Sequence, residues 1–253
     1  MTPNRTPLGR SQSAPTELIV ALDFPRSDAA MGLVERLSGL PVIFKVGFEL
    51  FLHAGPAFVR ELNHRKNRVF LDLKFHDIPN TVVSAARQAA ALQVEMMTLH
   101  IAGGSAMVRA VREELDQIPE LRPKLIGVSV LTSFDDVRWA EITRAMTSHA
   151  VTTQESVAGL VEAGAPWGLD GVVCSAFELE AVRKVSPSLY TVVPGIRPSE
   201  RMLIHGDDQS RVMSPSSAAR AGASAIVMGR PISQASDPRR VVEGVLTELN
   251  AAT

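Results

Sequence analysis

The chain has 253 residues, 45% hydrophobic and 21% charged, with a formal net charge of −1. Such a composition belongs to globular proteins, and this length can bury a core without covalent staples. Basic residues are interspersed with acidic ones, so no basic patch stands ready for phosphates, and nucleic acid is not an expected partner.

In chain order, residues 1–16 (MTPNRTPLGRSQSAPT) lack the apolar segment of a secretory signal. They are rich in Pro, Ser and Thr, and a mobile arm is expected there, with the fold beginning near Glu17. Eight apolar runs follow: ELIVALD (17–23), VIFKVG (42–47), VFLDLK (69–74), MMTLHI (96–101), KLIGVSVL (124–131), GVVCSA (171–176), LYTVVPGI (189–196) and AIVMGR (225–230). They are near-continuously apolar, which predicts buried strands. The single cysteine, Cys174, excludes an intrachain disulfide and reads as a small buried hydrophobe. No apolar run reaches the roughly 18 residues of a membrane span, so a soluble, cytoplasmic protein without a membrane partner is expected.

Helical patterns alternate with the runs. SDAAMGLVERLSG offers Ser27 or Asp28 as N-cap and Gly39 as a stop. GPAFVRELNHRKN, NTVVSAARQAAAL, GSAMVRAVREEL, FELEAVRKV, SPSSAARAG and DPRRVVEGVLTELN behave alike, and DDVRWAEITRAM and VTTQESVAGLVEAG supply two helices between the fifth and sixth strands. Strand then helix, about eight times, predicts α/β architecture with a parallel sheet. Eight units over residues 17–253 suit a single-domain TIM (β/α)8 barrel. A doubly wound open sheet is the alternative; strand count and length favour the barrel. The polar stretch RPSERMLIHGDDQSRVMSP, between the last two strands, is long enough to be functional.

Charge interrupts the apolar runs at Asp23, Lys45, Asp72, Lys74 and His100, and Arg197 and Arg230 follow the last two; nearly all lie at carboxyl ends. In a barrel those ends form the rim that carries active sites. Side chains alternate faces along a strand. Asp72 and Lys74 therefore share a face with Phe70, while Leu71, Leu73 and Phe75 take the other, which suits the helices. The charged pair then points into the barrel mouth, where ions left unpaired would cost several kcal/mol.

A lone Asp or Lys at a strand end is usually a solvated rim residue, and Asp72 with Lys74 could be a structural pair. Adding Lys45 and Asp77 makes four charges of alternating sign on one rim, which points to function. His100 reads as a barrel-core histidine behind the site, and His76 as an exposed loop residue. Loops after the seventh and eighth strands commonly hold phosphate, and here they supply Arg197, Gln209, Gly229 and Arg230.

At this point the sequence resembles the orotidine 5′-monophosphate decarboxylase family, from about Glu17 to Val245. The core of the resemblance is DLKFHDIPNT (72–81), which matches Asp-x-Lys-x-x-Asp-Ile-Pro-x-Thr; ALD (21–23), KVG (45–47), VLTS (130–133), VPGIRP (193–198), GDDQSRVMSP (206–215) and VMGRPI (227–232) support it. Mild departures are Ser129, Ser210 and Ser214. The resemblance implies cofactor-independent conversion of orotidine 5′-monophosphate to UMP and CO2 in pyrimidine synthesis, with no metal. It implies Lys74 as proton donor to C6, flanked by Asp72 and Asp77, with Lys45 completing the array. It further implies Asp23 and Lys45 on the ribose, Thr132 and neighbouring backbone at the pyrimidine, and Gln209, Gly229 and Arg230 at the phosphate, with Arg197 beside them. Asp72, Ile78 and Pro194 join the substrate-binding set. Asp77 and Thr81 would reach the partner's site in a homodimer, so that Asp72 and Lys74 serve their own site and Asp77 the neighbour's.

Two rivals stand beside this. Barrel enzymes acting on sugar phosphates with Mg2+ share the Asp-x-Lys-x-x-Asp core but would be expected to carry an acidic metal ligand at position 45. A non-catalytic nucleotide-binding barrel would have no use for a costly buried charge array.

Overall fold

The computed structural model describes residues 15–198 and 213–252. The elements run β1 (Glu17–Ala21), α1 (Ser27–Arg36), β2 (Val42–Val46), α2 (Phe48–His64), β3 (Arg68–Phe75), α3 (Pro79–Ala91), β4 (Met96–His100), α4 (Gly104–Asp116), β5 (Lys124–Val128), α5 (Asp136–Thr147), α6 (Thr153–Gly164), β6 (Gly171–Val173), α7 (Leu179–Val185), β7 (Tyr190–Val193), α8 (Pro215–Arg220), β8 (Ala225–Met228), α9 (Arg230–Ser233) and α10 (Pro238–Ala252). The eight strands pair in parallel in sequence order, and β1 pairs with β8, closing the barrel. The open-sheet alternative is thereby excluded.

Strand parity divides the core. Ile19, Ala21, Ile43, Phe70, Met96, Ile126, Val192 and Ala225 fill the barrel interior. Their neighbours, among them Leu18, Val20, Phe44, Leu71, Met97 and Leu125, pack outward against helical residues such as Leu33, Leu62 and Val108. This two-sided burial explains the near-continuous apolar runs. Cys174 is fully buried, and burial pushes its thiol pKa up.

Several local expectations are corrected. The apolar runs overshoot the strands: β1 stops at Ala21 and β8 at Met228, so Asp23 and Gly229 sit on the loops just beyond. The cap of α1 is Arg26, not Ser27 or Asp28, because Asp28 pairs with the Arg26 guanidinium at 2.6 Å. Helix α2 begins at Phe48, well before Gly55; Gly55 at φ 63°, followed by Pro56, marks a kink within it. The short α9 was not anticipated. Charge is also not confined to carboxyl ends. At the opposite, amino-terminal mouth Arg68 pairs with Glu17 at 2.7 Å, Lys124 pairs with Glu95 at 3.0 Å, and Tyr190 donates to Glu17. These groups plug the barrel floor and saturate one another.

Thr16 is already buried, its hydroxyl donating to Ala223 O at 2.8 Å. Most of the expected arm, residues 1–14, lies outside the described residues. So do residues 199–212, which hold much of the long loop before β8 and with it Gln209.

Candidate active site

A cleft of about 320 Å3 opens at the carboxyl-terminal mouth. Phe70, Val128, Val173, Val192 and Val227 form its apolar floor. Two sets of polar residues line it. Asp23, Lys45, Asp72 and Lys74 come from β2, β3 and the end of β1; Arg197, Gly229 and Arg230 come from the segments after β7 and β8. Apolar walls with a few convergent polar groups are the usual make-up of a small-molecule site.

The charged side chains form a chain of contacts. Lys74 Nζ donates to Asp72 Oδ2 at 2.8 Å. Lys45 Nζ lies 3.7 Å from the same oxygen and donates to Asp23 Oδ1 at 3.0 Å. The Asp72 side chain is 11% exposed and that of Lys45 12%, against 60% for Asp23. Signs alternate, so each buried ion has an opposite neighbour, which offsets the cost of burial. Thr98 Oγ1 donates to the other Asp72 oxygen, Oδ1, at 3.0 Å.

Local backbone geometry aims these groups. Leu71 pairs with Met97 but Phe75 with Leu99, so four residues of β3 span two of β4. Lys74 sits in this bulge with φ 43°. A side chain bearing residue held there costs about 1–2 kcal/mol, and such strain clusters at functional sites. Its amide, displaced from the regular ladder, donates instead to Thr98 Oγ1 at 2.8 Å.

After β7, Arg197 is buried and donates from Nη1 to Ile196 O at 3.0 Å. Arg230 is exposed at the first position of α9, directly after Gly229. A Cβ at Gly229 would stand 3.4 Å from both Ala21 and Asp23, so glycine keeps the backbone there open to a ligand. Thr132 and Pro194 also line the cleft. Among the described residues, no group of three or more His, Cys, Asp or Glu is placed to hold a metal ion.

Of the four charges expected on one rim, three come together and Asp77 does not. It is exposed, accepts from the Ile78 amide at 2.6 Å, and is absent from the cleft wall. Ile78, 68% exposed, and Thr81, exposed on the first turn of α3, are also outside the wall. Asp77 lies past the end of β3 at Phe75 and just before α3 begins at Pro79. His100 is half-buried and stacks on exposed His76, ring centroids 5.2 Å apart, behind the cleft. Thr98 was missed from sequence. The available signal was a polar residue on the inward parity of β4, between Met96 and His100.

A family model described as "Orotidine 5'-phosphate decarboxylase / HUMPS family" matches residues 16–245. The orotidine 5′-phosphate decarboxylase of Legionella pneumophila (strain Corby) is 47% identical over 234 residues, covering 92% of this chain and 99% of that protein. That of Pseudomonas fluorescens Pf-5 is 44% identical, covering 92% and 97%. The crystal structure of the decarboxylase from Lactobacillus acidophilus superposes with a TM-score of 0.79 at 34% identity, covering 93% of this chain and 99% of that one.

Proposed function

The chain belongs to the orotidine 5′-phosphate decarboxylase / HUMPS family, and from that membership we propose that it converts orotidine 5′-monophosphate to UMP and CO2 in pyrimidine biosynthesis, without a cofactor. The observation that carries the reading is the Asp23–Lys45–Asp72–Lys74 contact chain in a cleft that Arg197, Gly229 and Arg230 also line.

The chemistry follows from where charge develops. Breaking the bond between C6 and the carboxylate leaves an electron pair on C6, in an sp2 orbital orthogonal to the ring π system. The pyrimidine cannot delocalise it well. Lys74 supplies a fixed ammonium beside C6, stabilises the growing charge, and gives a proton from Nζ to C6 as CO2 departs. The amine then regains a proton from solvent. Asp72 holds the ammonium in place and prevents it from swinging away between turnovers.

Substrate placement uses the rest of the cleft. Asp23 accepts from ribose hydroxyls and Lys45 donates to them. Thr132 and Pro194 contact the pyrimidine. Arg230 and Arg197 grip the phosphate, with the Gly229 amide approaching it, and Gln209 joins them from the loop before β8. Binding energy from this remote phosphate contributes to positioning C6 against Lys74. Asp77, Ile78 and Thr81 are exposed and do not line their own cleft, and in this reading they complete the site of a second copy in a homodimer.

The test is loss of the orotate chromophore when purified protein meets orotidine 5′-monophosphate, with and without EDTA. Stoichiometric UMP formation, unaffected by EDTA, is expected. Absence of turnover, or turnover abolished by chelation, overturns the reading.

A further inference from the structure

We propose that Thr98 is a positioning residue for this decarboxylation, holding Lys74 and Asp72 in their working geometry from the neighbouring strand without itself lining the cleft. The inference rests on the decarboxylase reading above.

Thr98 is in the middle of β4 and is completely buried. A hydroxyl in a barrel interior needs partners, and both of its partners are on β3. It accepts from the Lys74 backbone amide at 2.8 Å and donates to Asp72 Oδ1 at 3.0 Å. The polarity of this bridge is forced. An amide can only donate, so the hydroxyl must use a lone pair there, and its single proton is left for the carboxylate.

Asp72 divides its two oxygens accordingly. Oδ1 takes the Thr98 hydroxyl, while Oδ2 takes Lys74 Nζ at 2.8 Å and faces Lys45 Nζ at 3.7 Å. Fixing Oδ1 fixes the plane of the carboxylate, and so the point at which Oδ2 presents itself to the ammonium. The other end of the bridge acts on the main chain. Four residues of β3 lie against two of β4, and Lys74 occupies the resulting bulge at φ 43°. Its amide is thereby drawn off the regular ladder, and the Thr98 hydroxyl receives it. One side chain thus secures both the backbone from which the ammonium springs and the carboxylate on which it rests.

A catalytic group needs placement to within about half an ångström, and a shift of about 1 Å can cost a hundredfold in rate. Packing alone does not require the hydroxyl, since valine has the same shape. Hydrogen bonding to Lys74 and Asp72 therefore separates Thr and Ser, which carry the hydroxyl, from Val, which does not.

The experiment compares wild type, Thr98→Val and Thr98→Ser by steady-state kinetics, with UMP binding and thermal melting measured on each. Thr98→Val is expected to lose roughly ten- to a hundredfold in kcat while KM and UMP affinity stay within about threefold. Thr98→Ser is expected to retain kcat within about threefold, because the hydroxyl is the working group. Should Thr98→Val not fold, Thr98→Ala takes its place with the same expectation. The inference is overturned by a valine or alanine variant with wild-type kcat, by a loss carried in KM alone, or by a serine variant as slow as the valine one. An inactive wild-type enzyme overturns the decarboxylase reading instead, so the two failures are separable.

Discussion

Lys74 and Asp72 are two residues apart on β3, yet Lys74 Nζ meets Asp72 Oδ2 at 2.8 Å. On a regular strand, residues i and i+2 stand about 6.6 Å apart and point the same way. The bulge and the positive φ of Lys74 tilt its side chain back over the carboxylate. The ammonium is therefore placed by backbone shape as well as by charge. Lys74→Ala is expected to lower kcat/KM for orotidine 5′-monophosphate at least about a thousandfold, since it removes both the acid and the fixed cation. UMP binding, measured by calorimetry, should persist within about tenfold, because the phosphate and ribose contacts remain. Substantial retained turnover would remove Lys74 from its role.

Arg230 lines the same cleft as Lys74, from the first position of α9. A charged hydrogen bond to phosphate contributes about 1.5–3 kcal/mol. Arg230→Ala should thus lower kcat/KM by roughly ten- to a hundredfold. The same variant should discriminate less between orotidine 5′-monophosphate and orotidine, which lacks the phosphate. An unchanged ratio between the two substrates would place the phosphate elsewhere.

Asp77 is exposed and does not line its own cleft, which makes a subunit-mixing experiment informative. In a two-fold dimer, pairing an Asp77→Ala subunit with a Lys74→Ala subunit rebuilds one intact site per heterodimer. Each homodimeric parent should be nearly inactive. Mixed and re-equilibrated at equal amounts, they should recover about a quarter of wild-type specific activity. A mixture no more active than the mean of its parents would assign Asp77 to its own subunit or to no site at all.

His100 links the site to pH. Burial pushes its imidazole pKa below the ordinary value, His76 and Lys74 push the same way, and Asp72 opposes them. The unfolded chain therefore takes up this proton first, near pH 6.5. The contribution of His100 to stability is complete above that value and is lost as pH falls towards the lower, folded-state pKa. Between about pH 7 and about pH 5, the melting temperature of wild type should fall more steeply than that of His100→Gln. Parallel melting profiles for the two proteins would contradict this.

Much of the architecture was legible in the chain. The eight apolar runs and the intervening helical patterns carry the barrel, because strands buried on both faces cannot alternate and crossover helices must. The parity argument on β3 also survives: Phe70 lies in the interior cluster and Leu71 in the outer one, with Leu73 and Phe75 packed against it. What failed were the ends of elements. Apolar residues continue past β1, β5 and β8 because the loops above a barrel mouth are themselves partly buried. The amino-end charges Glu17, Arg68, Glu95 and Lys124 were overlooked because each borders its strand like an ordinary surface residue, and only closure of the barrel brings them together.

The sequence by itself determined the residue types, their order and their face: a carboxylate and an ammonium at i and i+2, an arginine after each of the last two strands, and a glycine directly before Arg230. Periodicity is local, so a one-dimensional string can carry it. Only the tertiary structure decided which charges meet. Lys45 reaches Asp23 and Asp72 because β2 lies between β1 and β3 in the closed sheet. Thr98 reaches Lys74 because the register between β3 and β4 slips. Those contacts are set by strand order, register and a single left-handed residue, which are properties of the closed barrel and of no short stretch of chain.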